Sequence, residues 1–245
     1  MLTKLLVFGA VALLTKSPVL AAVVTLAVWL VVDWNAFQLV PRAGRRLADL
    51  RRAAALRSVL RQNPHDRRAR VELADLQNRL GRPAAAVDAV KAAVQADPAD
   101  LEALYQLGIA CLRLGEVERG ELFLAEVEAA HPGFRQDEIP FEEARARLKA
   151  GDVAGAEVAA RRYLEAHPGS VRGLVVLAAA KARAGDAPAA AAARERAWAE
   201  FKDLPRFARR EARRWAWQAK PARPIAYLGV AAFVAALFLG VPRFL

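Results

Sequence analysis

The chain is poor in the residues that most often carry chemistry. Its 245 residues include one cysteine, Cys111, so no disulfide can close within it and the redox compartment is left open. The three serines, Ser17, Ser58 and Ser170, have no base near them in sequence. There is no Gly-rich phosphate loop, no paired-carboxylate motif and no CxxC. Nothing here points to an enzyme, a cofactor or a metal. Acidic residues are also scarce, 26 against 37 Lys and Arg, for a net charge of +11. Such an excess favours an anionic surface, nucleic acid or phospholipid. No Ser/Gly/Pro-rich linker interrupts the chain.

Apolar runs are plentiful, with 56% of residues hydrophobic. Residues 5–14 and 19–32 form two such runs, separated by Thr-Lys-Ser-Pro. One straight helix through both would place Lys16 near a bilayer centre, at a cost of roughly 2.5–3.5 kcal/mol. Pro18 would also break it. A hairpin turning at 15–18 avoids both penalties. Each arm is short, because 14 residues rise about 21 Å against about 30 Å of hydrocarbon. A cleaved signal peptide accounts for the first run and not the second. Residues 225–241 form a third run, free of charge and without a polar face. The sequence therefore predicts a transmembrane helix over 225–245 and an N-terminal membrane hairpin over 1–40.

Arginines crowd the inner ends of these runs. Residues 41–63 read as a basic amphipathic helix with Leu47, Leu50, Ala54, Leu56 and Leu60 on one face, lying at an anionic leaflet, packing on the first repeat as a lead-in helix, or both. Residues 204–224 read as a second basic helix. Arg45, Arg46, Arg213 and Arg214 are expected at anionic lipid, with Trp29, Trp34, Trp215, Trp217 and Tyr227 at headgroup level. Because both collars face the middle of the chain, that middle is expected on the cytoplasmic side. The same clustering beside apolar runs argues against nucleic acid as the partner.

The middle repeats. Pro64, Pro98 and Pro132 stand 34 residues apart, and Pro168 follows after 36. Gly81, Gly115, Gly151 and Gly185 keep the same rhythm. Between these markers apolar residues follow helical spacing, giving four helix pairs over 64–203. Each glycine falls where a left-handed C-cap is needed, and each proline ends the second helix of a pair. Small residues recur at two positions, as Ala74, Gly108, Ala144 and Ala178, and as Ala86, Gly120, Ala156 and Ala190.

This pattern resembles the tetratricopeptide repeat family, whose unit is a 34-residue helix–turn–helix with small residues where its helices touch. The family's leucine matches Leu73, Leu107 and Leu177, but repeat three carries Glu143 there, after a two-residue insertion. The stretch 131–140 is thus expected to be the least regular. With its flanks, the chain resembles membrane-anchored bacterial proteins of this family, and its Ala/Arg-rich composition points to a bacterial source. The resemblance implies an all-α solenoid whose first helices line a groove for a protein partner. A basic residue recurs at one groove position, as Arg79, Arg113, Lys149 and Arg183. These form either a ladder for an acidic partner segment or cations favoured at helix C-termini. Asn78, Tyr105, Phe141 and Val175 are further groove candidates. His131 and His167 occupy equivalent positions one repeat apart, too far to share a metal, and are expected at helix C-termini. Cys111 is expected to be buried and inert. The glutamates of residues 116–128 could face a basic partner or solvent.

The combined expectation is a scaffold at the inner face of a bacterial-type membrane, acting in assembly or quality control. An extracytoplasmic assembly factor and a peripheral nucleic-acid-binding repeat protein are the alternatives.

Overall fold

A computed structural model of the protein describes residues 38–135, 138–222 and 225. The chain divides into two compact units, 1–51 and 52–245. Ten helices and no strand occur among the described residues. A long helix, α1 (Leu39–Gln62), comes first. Four pairs follow: α2 (Arg67–Arg79) with α3 (Pro83–Ala96), α4 (Leu101–Leu114) with α5 (Val117–Ala130), α6 (Ile139–Ala150) with α7 (Val153–Ala166), and α8 (Val171–Arg183) with α9 (Ala187–Asp203). A last helix, α10 (Arg206–Ala219), packs on α8 and α9.

Local chemistry fixes the boundaries. Asp66, Asp100, Asp152, Ser170 and Asp186 each precede a helix, and each side-chain oxygen accepts the N–H three residues on. We expect Asp66→Ala to lower stability by about 1 kcal/mol, seen as an earlier midpoint in urea unfolding. The four rhythmic glycines all have positive φ, from 75° to 96°, at the ends of the first helices. No Cβ is tolerated cheaply there, which is why the glycine rhythm was so legible.

Within a pair the helices meet through small residues. Ala74, Ala86, Ala144 and Ala156 have no exposed surface. Repeat two goes further. A Cβ on Gly120 would lie 2.9 Å from the Gly108 carbonyl, and one on Gly108 would lie 3.1 Å from the Gly120 carbonyl. These backbones touch, and Leu112 and Leu124 fold over the contact. Apolar clusters then run from Ala53 and Leu56 of α1 to Ala216 of α10.

On the flanks, α1 packs on the first repeat and one aromatic of α10 departs from its expected place. On α1 the buried face is Ala53 and Leu56, with Leu60 beside them, whereas Leu47 and Leu50 are exposed. On α10, Trp215 turns inward, its ring edge-on to Phe141 at 5.6 Å, instead of outward to headgroups. Trp217 is half-buried, Arg213 is half-buried, and Arg45, Arg46 and Arg214 are exposed. No helix among the described residues is long and apolar enough to cross a membrane. The hairpin over 1–40, apart from residues 38–40, and the run after Ile225 lie outside the described residues. Trp29, Trp34 and Tyr227 lie there too.

Candidate functional site

The first helices α2, α4 and α6 line a groove of about 1120 Å³, with Arg172 of α8 also reaching it. Because side chains on a helix repeat every 3.6 residues, each first helix gives the groove one stripe. On α2 that stripe is Arg68, Val71, Glu72, Asp75 and Arg79, and on α4 it is Glu102, Tyr105, Gln106, Ile109 and Arg113. Phe141 and Glu142 continue it on α6.

Six arginines and six carboxylates line the groove, so its charge is balanced. Most are paired. Arg67 hydrogen-bonds Asp100, and this bond, against the cost of burial, holds the Asp100 carboxyl below its usual range. Arg113 donates to Glu142 at 3.0 Å. Arg135 lies 5.3 Å over the Tyr105 ring and donates to Glu102 and Glu138. The Tyr105 hydroxyl donates to Glu138 at 2.7 Å. Burial first, and then Glu138, push the Tyr105 phenol upward, so it stays a donor.

The floor is polar and nearly closed. Asn78 Nδ2 donates to the side-chain oxygen of Gln106 at 3.0 Å and to its carbonyl at 3.1 Å. Gln106 in turn donates to Glu102 at 3.1 Å. This fixes the Asn78 amide with its Oδ1 unpaired, on a residue only 3% exposed. An unpaired buried acceptor is costly unless a donor arrives.

The expected groove residues separate into two sets. Asn78, Arg79, Tyr105, Arg113 and Phe141 do line the groove. Lys149, Val175 and Arg183 do not. Val175 is buried in the last cluster. The basic series turns out to be an internal device. Arg113 donates to the carbonyl of Asn78, Lys149 to that of Arg113, and Arg183 to that of Leu148. Each cation thus caps the C-terminus of the first helix one repeat back, where carbonyls lack partners and the helix end is negative. Arg79, first in the series, pairs with Asp75 at 3.3 Å. The ladder for an acidic ligand is therefore replaced by glue between repeats.

Several groove residues escaped the sequence reading. Gln106 and Glu102 reach the floor by spacing alone. Arg135 and Glu138 come shortly before α6, and Arg135 has φ 50°, a left-handed backbone no pattern foretold. His131 and His167 cap α5 and α7, and the His167 ring stacks on Tyr163 at 4.9 Å. Cys111 is fully buried, and burial raises its thiol above the usual range. Of the acidic series on α5, Glu121 and Glu128 are engaged by arginines of the next repeat, while Glu118 and Glu126 are exposed.

Stacked helix pairs with a lined concave face define a repeat scaffold of the α-solenoid class. Tetratricopeptide repeat models match residues 42–100 and 79–138, which supports that family for the repeat region. No curated protein matches the chain. Among solved structures the fold is similar to PilW, described as a widely conserved type IV pilus biogenesis factor. That match has 18% identity and a TM-score of 0.57, and covers 85% of this chain and 92% of that one. It is also similar to MamA, at 20% identity and a TM-score of 0.52, over 62% of this chain and 87% of that one. At such identities the likeness is one of fold.

Proposed function

We propose that the protein is a scaffold that holds an extended segment of a protein partner in its groove while attached to a membrane. The observation that carries this is the groove itself, about 1120 Å³ in volume and lined by a stripe of polar and aromatic side chains from each of α2, α4 and α6. Most of the surrounding charges are already paired, so they would set register more than attract a highly charged ligand. The likeness to a pilus biogenesis factor supports a place in assembly of an envelope or membrane complex.

Membrane attachment rests on the uncharged run 225–241 and on the helix before it. On α10, Phe207 is 77% exposed, beside Arg206 and one face along from Arg214. Neither arginine forms an ion pair among the described residues. An exposed aromatic among unpaired cations suits an anionic leaflet. The arginine bias puts the repeats on the cytoplasmic side, at a bacterial inner membrane.

A photo-crosslinking residue at Val71, inside the groove, is expected to trap a partner protein in intact cells. The same residue at Leu122 or Val158, exposed on second helices, is expected to trap none. Capture from the second helices alone would overturn the groove reading. Recovery of the chain in a salt-washed soluble fraction would overturn the membrane reading. Labelling of cysteines placed at Lys91 in intact cells, without permeabilisation, would overturn the cytoplasmic side.

A further inference from the structure

Repeat three departs from the pattern at one residue of consequence. Where the other repeats carry Leu73, Leu107 and Leu177, α6 carries Glu143. Its side chain is only 14% exposed. A carboxyl group in a leucine's place must be well paired or stay neutral.

Its possible partners are already committed. Arg162 of α7 lies 3.5 Å away, but it also hydrogen-bonds Glu128 of α5. Arg147, one turn along α6, gives two bonds of 2.6 and 2.7 Å to Glu121 of α5 and a third to Asp152. An ionised Glu143 therefore adds a fourth carboxylate, after Glu121, Glu128 and Asp152, to two guanidiniums. Burial is the main force pushing the Glu143 carboxyl up, to about 7. Glu128 and Glu121 push the same way, while Arg162 and Arg147 oppose.

The location gives this cluster its meaning. α5 and α6 touch less than the helices at the other two repeat junctions. Across this joint an apolar cluster joins Leu124 and Val127 of α5 to Ile139 and Ala146 of α6, and the polar bonds of Arg147 and Arg162 lie on the same two helices. The groove spans the same joint, with α2 and α4 on one side and α6 on the other.

We propose that the joint between α5 and α6 is a proton-controlled hinge, closed when Glu143 is neutral and loosened when it ionises. Ionised, Glu143 gains by letting more water in, and parting α5 from α6 would admit it. Closed, it holds the two sides of the groove at the spacing seen here. The hinge belongs to the solenoid and stands whatever the groove binds.

Spin labels on cysteines at exposed Lys91 of α3 and Arg194 of α9, with Cys111 replaced by alanine, read the joint directly in the solubilised full chain. Pulsed electron resonance should give one distance distribution at pH 5.5 and a longer or broader one at pH 8.5, with a midpoint near 7. Both Glu143→Gln and Glu143→Leu should keep the low-pH distribution throughout. Leucine restores the pattern of the other repeats, so at least one variant should fold. A wild-type distribution that does not change with pH overturns the hinge, as does a change that persists in whichever variant folds. No partner is present, so this result is independent of groove binding.

Discussion

Gly120→Ala should destabilise the solenoid by about 1–3 kcal/mol, although alanine in a helix interior normally gains about 1 kcal/mol over glycine. The reversal comes from the backbone contact in repeat two. The new Cβ would sit 2.9 Å from the Gly108 carbonyl and 2.7 Å from Leu112 Cδ2. Leu112 could turn, but a carbonyl within α4 cannot move without parting α4 from α5. Gly44→Ala on α1 is the control, because nothing lies within 4 Å of its added Cβ. That change should be neutral or stabilise by up to about 1 kcal/mol. Urea unfolding of the full chain in mild detergent, followed by helical circular dichroism, measures both. Equal effects from the two alanines would show that α4 and α5 are not in close contact.

Glu143→Gln should stabilise the protein at pH 8 by an amount on the order of 3 kcal/mol and flatten its stability between about pH 4.5 and 7. The sign follows from the direction of the shift. The folded carboxyl is raised from 4.5 to about 7, so the native state holds its proton where the unfolded chain has lost it. Stability from this group is complete below the unfolded value and is lost as pH rises through the folded one. Above that, wild type carries a buried charge that glutamine lacks. Unfolding midpoints of wild type and variant from pH 4 to 8.5 are the measurement. Curves that stay parallel over that range would mean that Glu143 is ionised and satisfied throughout. This stability difference is separate from the hinge, since a rigid joint could show it without any change in distance.

The repeat spacing was legible because turn chemistry is local. A residue with positive φ must be glycine or nearly so, and an N-cap must offer an oxygen three residues before the N–H it serves. Gly81 to Gly185 therefore mark every helix pair in the sequence itself, and the N-cap oxygens of Asp66 to Asp186 that the structure shows obey the same local rule. The small residues at 74, 86, 108 and 120 were equally open to reading, since close helices admit nothing larger. Part of the groove came the same way. Asn78, Tyr105 and Arg113 fall on the inner stripe of a helix by period alone.

What the sequence could not settle is where long side chains end. An arginine reaches several ångströms from its backbone, and a stripe of them looks the same whether it faces a ligand or the neighbouring helix. Only the stacking angle of the repeats brings Arg113, Lys149 and Arg183 onto the carbonyls of the preceding helix and turns a supposed ladder into a seam. Trp215 is a similar case, placed by its neighbours as a membrane aromatic and by packing against Phe141. Glu143 was visible as an exception, but its consequence was not. That depends on Glu121, Glu128, Arg147 and Arg162 meeting across three helices, and such a meeting is set by tertiary packing.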